Sequence, residues 1–202
     1  MFMSGITIPF ALSRYKQEAN KVLVYKRILK RVVLLWIFGM MCQGNLLALN
    51  PERIYFYSNT LQTIAVGYLI SALLFLHTSI KTQVILAIAM LLGFWGAMEL
   101  ITIQGYGGGN YTPDGNLAEW IDRTILGRFR DGASVVNGEV QFPDWYRYTW
   151  ILSSLNFVVT VLTGVFAGYI IKAKGWMPKQ KVAYLLIIGA SMVAMGWIWG
   201  IW

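Results

Sequence analysis

The sequence predicts an all-α membrane protein: a polytopic helix bundle with about five full spans, a partial N-terminal span and an ordered external loop. Hydrophobic residues make up 57% of the 202 residues and charged residues only 13%, whereas soluble domains average about 45–50% and about 25%. Five stretches contain no Asp, Glu, Lys or Arg, and each approaches the ~20 residues that cross ~30 Å of hydrocarbon. They are residues 32–49, 60–80, 82–98, 148–171 and 182–202. Such a set excludes an ordinary soluble domain.

The distribution of basic residues predicts which loops face the cytoplasm. Residues 14–31, 78–82 and 172–181 hold 12 of the 17 Lys and Arg residues but only one acid. The alternating loops, 50–59 and 102–147, hold seven of the nine acidic residues. Because positively charged loops stay in the cytoplasm, the first set is cytoplasmic. The net charge of +8 is then a topology signal and an attraction to anionic lipid heads, and nucleic-acid binding is not favoured.

The expected elements follow this alternation in chain order. A partial helix at 1–13 enters the cytoplasm, and the full spans then run alternately outward and inward. The expected spans are 32–49, 60–78, 82–101, 148–171 and 182–202. Both ends of the chain lie inside apolar runs without flanking charge. We therefore expect residues 1–202 to be one partial transmembrane domain, with residues 102–147 as its extracytoplasmic cap.

A glycine-rich stretch, GYGGGNYTPDGNLAEWIDR at 105–123, opens the cap. A dinucleotide-binding loop is not favoured, because that motif needs a preceding strand and a glycine where Asn110 stands. Instead, TPDG at 112–115 predicts a turn. Asn116 followed by Glu119 predicts a capping-box start for the next helix. The stretch therefore indicates ordered local structure and not a phosphate site.

The rest of the cap predicts a short helix and a β-hairpin. Residues 117–126 have an apolar face suited to the membrane surface or to the top of the bundle. SVVNGEVQF at 134–142 predicts a hairpin, because Asn137-Gly138 suits the positive φ angles of a type I′ turn. The 46 residues from 102 to 147 are more than a connection requires. This length indicates a lid or a binding surface.

Polar residues near the outer ends of the spans are the candidates for ligand contact. Asn59, Gln62 and Glu99 lie on the second and third spans. The fourth span carries a row on one helical face, consisting of Thr149, Ser153, Asn156, Thr160 and Thr163. Unpaired polar groups are costly in lipid, so two interpretations stay open. Either these side chains join helices, or they line an outward-opening cavity for a polar substrate.

The single cysteine and the single histidine favour structural roles. Because Cys42 is the single cysteine, these 202 residues cannot form an internal disulfide. We expect Cys42 to be a buried thiol within an apolar span. His77 lies at the cytoplasmic end of its span, where an interfacial role is favoured. With no second histidine and no cysteine cluster, a zinc site is not predicted.

Four stretches occur in a fixed order along the chain: FMSGITIPF (2–10), NTLQTI (59–64), the glycine-rich stretch (105–123) and LTGVFAG (162–168). Together they resemble motifs of the transmembrane acyltransferases related to heparan-α-glucosaminide N-acetyltransferase, in their bacterial form. The glycine-rich stretch is the most specific, similar to Gly-x-Gly-x-Gly-x-Leu-Thr-Pro-x-Gly-Asn-Leu-x-x-x-Ile-Asp-Arg. Three positions depart from the motifs: Asn59 stands for a glycine, Thr63 for an arginine and Tyr111 for a leucine.

The resemblance implies transfer of an acetyl group from cytosolic acetyl-CoA to an amino or hydroxyl group of an extracytoplasmic glycan, across a bacterial inner membrane. The basic segment 14–31 would attract the CoA phosphates, with Lys26, Arg27, Lys30 and Arg31 as the candidate contacts. The acceptor-side candidates are Asn59, Gln62, Glu99, Asp122, Arg123 and Asn156. For Asp122 and Arg123, a local pair that only fixes the cap is an equal alternative.

The resemblance also places the active-site histidine in a segment before the first motif, upstream of Met1, and His77 does not match it. We therefore expect the intact protein to be an enzyme and residues 1–202 alone to be inactive. The expected partners are membrane lipids, the glycan acceptor and acetyl-CoA, and homo-oligomerisation stays open. Two other classes are alternatives: a transporter or flippase of a polar or lipid-linked solute, and a non-catalytic membrane subunit.

Overall fold

The computed structural model of the chain describes residues 1–18, 20–50, 53–142 and 148–201. Of these described residues 69% are helical, and two small sheets occur among them. The helices are α1 (Phe2–Leu12), α2 (Val22–Cys42), α3 (Thr60–His77), α4 (Ile80–Leu100), α5 (Leu117–Leu126), α6 (Ser154–Lys172) and α7 (Pro178–Trp199). The strands are β1 (Thr102–Ile103), β2 (Tyr106–Gly107), β3 (Ser134–Val136) and β4 (Glu139–Gln141). Within the described ranges, four helices are long and apolar enough to cross a membrane: α3, α4, α6 and α7.

Helix α6 lies at the centre of the bundle and packs against α1, α3 and α4. Its contact with α1 is close because glycines face the opposite backbone. A Cβ added to Gly5 would lie 2.0 Å from the Val161 carbonyl oxygen, and one added to Gly164 would lie 2.1 Å from that of Phe2. Small residues let membrane helices approach in this way. Gly168, one helical turn after Gly164, approaches the Ile6 carbonyl oxygen in the same way, so both glycines mark the α1 contact.

The packing is uneven across the bundle. One buried apolar cluster joins α1, α2, α3 and α6, and it includes Ile8, Val24, Phe75 and Val165. A second, smaller cluster joins α4 to α6. Helix α7 is different, since none of its described residues is buried. The packed core is therefore on the side of the bundle formed by α1, α2, α3 and α6.

The helix expected at 32–49 instead runs from Val22 to Cys42, so the predicted bounds are wrong at both ends. The basic residues between 26 and 31 suggested a loop, but Lys and Arg are good helix formers and nothing in this segment breaks the helix. The helix ends at Cys42, and the next residue, Gln43, has a non-helical φ of −135°. Cys42, at the last position, is exposed, so the expectation of a buried thiol is also wrong.

The fourth expected span also starts later than predicted, at Ser154. Thr149 and Ser153 precede the helix, where their hydroxyl oxygens lie 2.7 Å apart. Thr160 and Thr163 lie within α6 and donate to backbone carbonyl oxygens of their own helix. The predicted polar row therefore does not form one continuous helical face.

The described part of the cap, residues 102–142, contains the short helix α5 and the hairpin β3–β4. Asn116 begins α5, and its Oδ1 accepts the Glu119 N–H at 2.8 Å. In the hairpin Val136 lies opposite Glu139, and the two turn residues between them have φ angles of 54° and 85°. The unpredicted pair β1–β2 adds a second tight turn directly after α4. Residues 143–147 of the expected cap lie outside the described residues.

Candidate functional site

The polar residues singled out by the sequence gather near the two ends of α3. This helix has 18 residues and is about 27 Å long at 1.5 Å per residue. Beside its first turn, the Phe56 N–H donates to the Phe129 carbonyl oxygen of the cap at 2.9 Å. Beside its last turn, Tyr25 of α2 contacts His77. We call the first region, with residues 102–142, the cap end, and the second region, with residues 14–31, the basic end.

Asn59 and Gln62 build the start of α3. Gln62 is fully buried, and its Oε1 accepts the N–H groups of Ser58 and Asn59 at 2.8 and 3.0 Å. Its Nε2 donates to the Phe56 carbonyl oxygen at 2.7 Å. Asn59 Oδ1 accepts the Leu61 N–H at 2.7 Å, which completes a capping box. Both polar atoms of Gln62 are thus used within the fold, whereas Asn59 is half-buried.

A buried charge network joins α5 to the segment after it. Glu119 Oε2 accepts Nη2 of Arg130 at 2.5 Å, and the two side chains are only 2% and 0% exposed. Glu119 Oε1 accepts Nε of Arg123 at 2.6 Å, one helical turn along α5. Arg130 also donates to the Asp131 carbonyl oxygen. The capping-box pattern predicted that Glu119 turns back toward Asn116, but the two arginines hold its carboxylate instead.

Asp122 ties the cap to the start of α6. It is fully buried, and its two carboxylate oxygens accept the N–H groups of Trp150 and Ile151 at 2.6 and 3.0 Å. Burial withholds water from the carboxylate and raises the pKa of Asp122 from 3.8 to about 6. The two N–H donors and the Arg130 charge oppose this rise. Asp122 and Arg123 therefore hold different parts of the cap and do not pair with each other.

An aromatic group packs beside this connection. The Tyr57 hydroxyl lies 2.9 Å from Ser154 Oγ, and its ring stacks on Trp150 with centroids 5.5 Å apart. Trp36 of α2 lies 5.3 Å from the same ring. Burial raises the pKa of Tyr57 to about 12, so its hydroxyl stays protonated at neutral pH. The ring thereby joins α2, the start of α3 and the start of α6.

Glu99 lies apart from this network, on a groove between α4 and α7. Its Oε2 accepts the Tyr111 hydroxyl at 2.8 Å. The groove has a volume of about 840 Å³. Its lining consists of Trp95, Glu99, Tyr111, Met195, Ile198, Trp199 and Gly200. The rings of Trp95 and Trp199 meet edge to face at 5.4 Å. Mostly apolar walls with a few polar groups are typical of small-ligand sites.

Asn156 lies in the first turn of α6, where its Oδ1 is buried and has no hydrogen-bond partner among the described residues. The six acceptor-side candidates therefore do not meet in one cluster. Asn59 and Gln62 begin α3, Asp122 binds the residues just before α6, and Glu99 faces the α4–α7 groove. All of them lie toward the cap, but they belong to separate hydrogen-bond groups.

At the basic end, two lysines donate hydrogen bonds to carbonyl oxygens at the end of α3. Lys16 Nζ donates to the Thr78 carbonyl oxygen at 3.2 Å, and Lys21 Nζ donates to that of Leu76 at 3.5 Å. These carbonyl groups belong to the last turn of α3, where carbonyl oxygens lack partners in the helix and the helix dipole favours cations. Part of the charge in residues 14–31 thus has a structural role.

His77 and Tyr25 form a pair beside an open cleft. The Tyr25 hydroxyl lies 2.7 Å from His77 Nε2, and the two rings are nearly parallel. The cleft has a volume of about 690 Å³. Its lining consists of Glu18, Asn20, Lys21, Val22, Tyr25 and His77. In the part of the chain that the structure describes, no three His, Cys, Asp or Glu side chains come together as metal ligands.

The four candidate phosphate contacts on α2 are Lys26, Arg27, Lys30 and Arg31, and all are exposed. Arg27 Nη1 donates to the Tyr15 hydroxyl at 2.5 Å, and the Arg31 guanidinium lies 4.3 Å from the Tyr68 ring centroid. Lys26 borders one groove, whereas the other three border a second. The structure therefore divides the predicted group between two surfaces.

No protein-family model matches the chain, and no curated protein matches it significantly. The motif resemblance and the geometry of the two ends of α3 are thus the grounds for a functional proposal.

Sequence reasoning missed two residues that shape the cap end. Arg130 is 11 residues beyond Glu119 and lies after the end of α5 at Leu126, so helix periodicity does not predict their contact. Tyr57 lies 97 residues from Ser154. Both contacts form only when distant segments meet, so a local pattern carries no signal for them. The one available hint was Glu119 itself, an acidic residue on a helix with an apolar face.

Proposed function

We propose that the chain is part of a membrane acetyltransferase that moves an acetyl group from acetyl-CoA on the cytoplasmic face to a glycan on the opposite face. In this proposal α2, α3, α4, α6 and α7 are full spans of a bacterial inner membrane, α1 is a partial span, and residues 102–147 are the extracytoplasmic cap. The observation that carries the proposal is the polarity of α3. Its basic end and its cap end are about 27 Å apart, close to the ~30 Å of a bilayer core.

The donor side is proposed at the basic end. Acetyl-CoA carries phosphates, which lysine and arginine bind through charge-assisted hydrogen bonds. The cleft beside Lys21 and His77, about 690 Å³, falls within the roughly 300–1,000 Å³ of small-molecule sites. Lys26 borders an adjoining groove that shares Val22 and Tyr25 with this cleft. These features support a donor site that Lys21 and Lys26 form with the last turn of α3.

The acceptor side is proposed at the cap end. Asp122 and Arg123 are positioning residues in this proposal, since one fixes the cap on α6 and the other fixes Glu119 within it. Asn156 is the candidate for direct contact, because its buried Oδ1 accepts no hydrogen bond from the described residues. Glu99 and the neighbouring indole rings add a second polar and aromatic surface nearby.

The proposed chemistry is an acyl transfer. The acceptor nitrogen or oxygen attacks the carbonyl carbon of the thioester, so that a C–N or C–O bond forms and the C–S bond breaks. CoA leaves as a thiolate and takes up the proton that the acceptor group loses. Positioning the two reactants and stabilising the oxyanion are the protein's contributions to such a reaction. We assign neither the base nor the oxyanion donor to a described side chain.

The experiment uses the full-length protein in sealed proteoliposomes, with acetyl-labelled acetyl-CoA on one side and glucosamine on the other. The expected result is labelled N-acetylglucosamine in the compartment that held the acceptor. Vesicles without protein give the background rate. If the protein neither binds nor consumes acetyl-CoA, the proposal is wrong.

A transporter or flippase is the second candidate, because the α4–α7 groove of about 840 Å³ can accommodate a solute. The same vesicles separate the two functions. Movement of glucosamine or a lipid-linked sugar without loss of acetyl-CoA identifies a transporter, and absence of both activities leaves the non-catalytic subunit.

A further inference from the structure

One face of α2 changes character along its length. Arg27, Lys30 and Arg31 are exposed on its first half, and Leu34, Leu35 and Phe38 follow in the next two turns. These six residues line one groove of about 330 Å³. The groove is therefore cationic at one end and apolar at the other.

Helix geometry gives the depth of each part. Tyr25, which contacts His77 at the basic end, serves as the reference level. At 1.5 Å per residue, Arg27 lies about 3 Å, Arg31 about 9 Å and Phe38 about 20 Å farther toward the cap end. In a bilayer that α3 spans, the cations would lie near the headgroup region and the apolar half would lie deep in hydrocarbon.

The cations of this groove form no ion pair with a described residue. Neither ion pair formed by described residues involves them. Arg27 contacts the neutral Tyr15 hydroxyl, and Arg31 contacts the neutral Tyr68 ring. Uncompensated charge at membrane depth is costly, although long basic side chains can extend toward the interface. An anion supplied from the surroundings would remove this cost.

We propose that this groove binds one anionic phospholipid. Its phosphate contacts Arg27 and Lys30, its ester oxygens lie level with Arg31, and one acyl chain runs along Leu34 and Phe38. The order of groups along α2 is then the order of groups along the lipid. Basic pockets on the cytoplasmic side of membrane proteins recognise anionic headgroups through the same charges. The site does not depend on the proposed acetyl transfer.

Charge alone does not explain the apolar half of the groove, and this favours a lipid over a soluble phosphate. A free phosphate or a short-chain acyl donor could pair with the cations but would not contact Leu34, Leu35 and Phe38. A zwitterionic lipid would cover them but would leave part of the cationic charge uncompensated. An anionic phospholipid satisfies both halves of the groove.

The test is native mass spectrometry of the full chain, purified in detergent and mixed with phosphatidylglycerol or phosphatidylcholine. We expect one bound phosphatidylglycerol at a concentration where phosphatidylcholine is bound at least fivefold less. The variant Lys30→Gln/Arg31→Gln should lower phosphatidylglycerol binding at least fivefold. The matched control, Lys174→Gln/Lys179→Gln, removes two exposed cations outside the groove and should change it less than twofold.

A second variant tests the apolar half. Leu34→Gln/Phe38→Gln keeps every cation and should also lower phosphatidylglycerol binding at least fivefold. If Lys30→Gln/Arg31→Gln does not fold, Leu34→Gln/Phe38→Gln tests the lipid site by itself. Circular dichroism and elution volume establish folding for each protein.

Three results would overturn the proposal. Equal loss in the control variant would mean that the net charge attracts lipid without a site. Unchanged binding in Leu34→Gln/Phe38→Gln would mean that no acyl chain occupies the groove. Displacement of the lipid by glycerol 3-phosphate or acetyl-CoA at similar concentration would assign the groove to a soluble phosphate ligand.

Discussion

The two ends of α3 satisfy their polar groups in opposite ways. At the cap end, Glu119, Asp122 and Arg130 are at most 2% exposed, and each holds a specific partner. At the basic end, Lys16 and Lys21 are only partly buried and donate to carbonyl oxygens. A buried charge that loses its partner cannot turn to solvent, whereas a carbonyl near the surface can accept water. The cap end should therefore be sensitive to single substitutions and the basic end tolerant.

The largest expected effect is the loss of Glu119. Glu119→Ala removes the carboxylate that Nη2 of the fully buried Arg130 contacts, and removing one member of a buried pair typically costs about 3–5 kcal/mol. Denaturant unfolding in detergent micelles should show a decrease of this size. Protease cleavage within the cap should rise in parallel.

The control for Glu119 is the double substitution Glu119→Leu/Arg130→Met, which removes both charges. It should recover most of the lost stability, because replacing a whole buried pair by apolar groups is often close to neutral. Arg123→Ala removes only the partly exposed member, and its loss should stay below about 1 kcal/mol. If the double variant is no more stable than Glu119→Ala, the unpaired charge of Arg130 is not the cause of the lost stability.

The next effect is a pH dependence that comes from Asp122. Its folded pKa of about 6 lies above the ordinary 3.8, so the folded protein binds this proton more tightly than the unfolded chain does. The free energy of unfolding should therefore fall by about 3 kcal/mol as the pH rises from 4 to 6, at 1.36 kcal/mol per pKa unit. Above pH 6 this contribution should stay level. The quantity to measure is the stability difference between wild type and Asp122→Asn, since other carboxylates titrate in both proteins.

A stability difference between wild type and Asp122→Asn that rises with pH would contradict this prediction. A rise would mean that the two N–H donors and Arg130 lower the pKa of Asp122 more than burial raises it.

The smallest effect is expected at the basic end. Lys16→Met removes the hydrogen bond to the Thr78 carbonyl oxygen but keeps an apolar side chain over the Phe75 ring. Since water can replace the ammonium group, the loss of unfolding free energy should be below about 1 kcal/mol. A loss as large as that of Glu119→Ala would remove the distinction between the two ends.

Features that depend on neighbouring residues were predictable from the sequence. The short helix α5 follows from Asn116 as its cap and from an apolar face, and the hairpin follows from Asn137-Gly138. Both are set by local φ preferences and by side chains that reach two or three residues away. The membrane-type composition is equally local, because it depends only on the length of apolar runs.

Features that depend on distant segments were not predictable in the same way. Asp122 could be marked as a candidate, but its partners lie 28 and 29 residues away. The early start of α2 was missed because the charges at 26–31 were interpreted as a loop. In the structure those residues continue the helix, and the neutral rings of Tyr15 and Tyr68 contact two of them. Tertiary contact, absent from local patterns, decides the case of Asp122. The start of α2 instead follows from the helix propensity of Lys and Arg, a local signal that the loop interpretation set aside.

The most direct measurement concerns the compartments that the two ends of α3 face. With Cys42 replaced by serine, a single cysteine is placed at the exposed residues Gln17 or Glu139 and treated with a membrane-impermeant maleimide in intact cells. Position 139 should be labelled from outside, and position 17 only after the cells are opened. Labelling of both positions from the same side would contradict the account, because the basic end and the cap end would then share one face of the membrane.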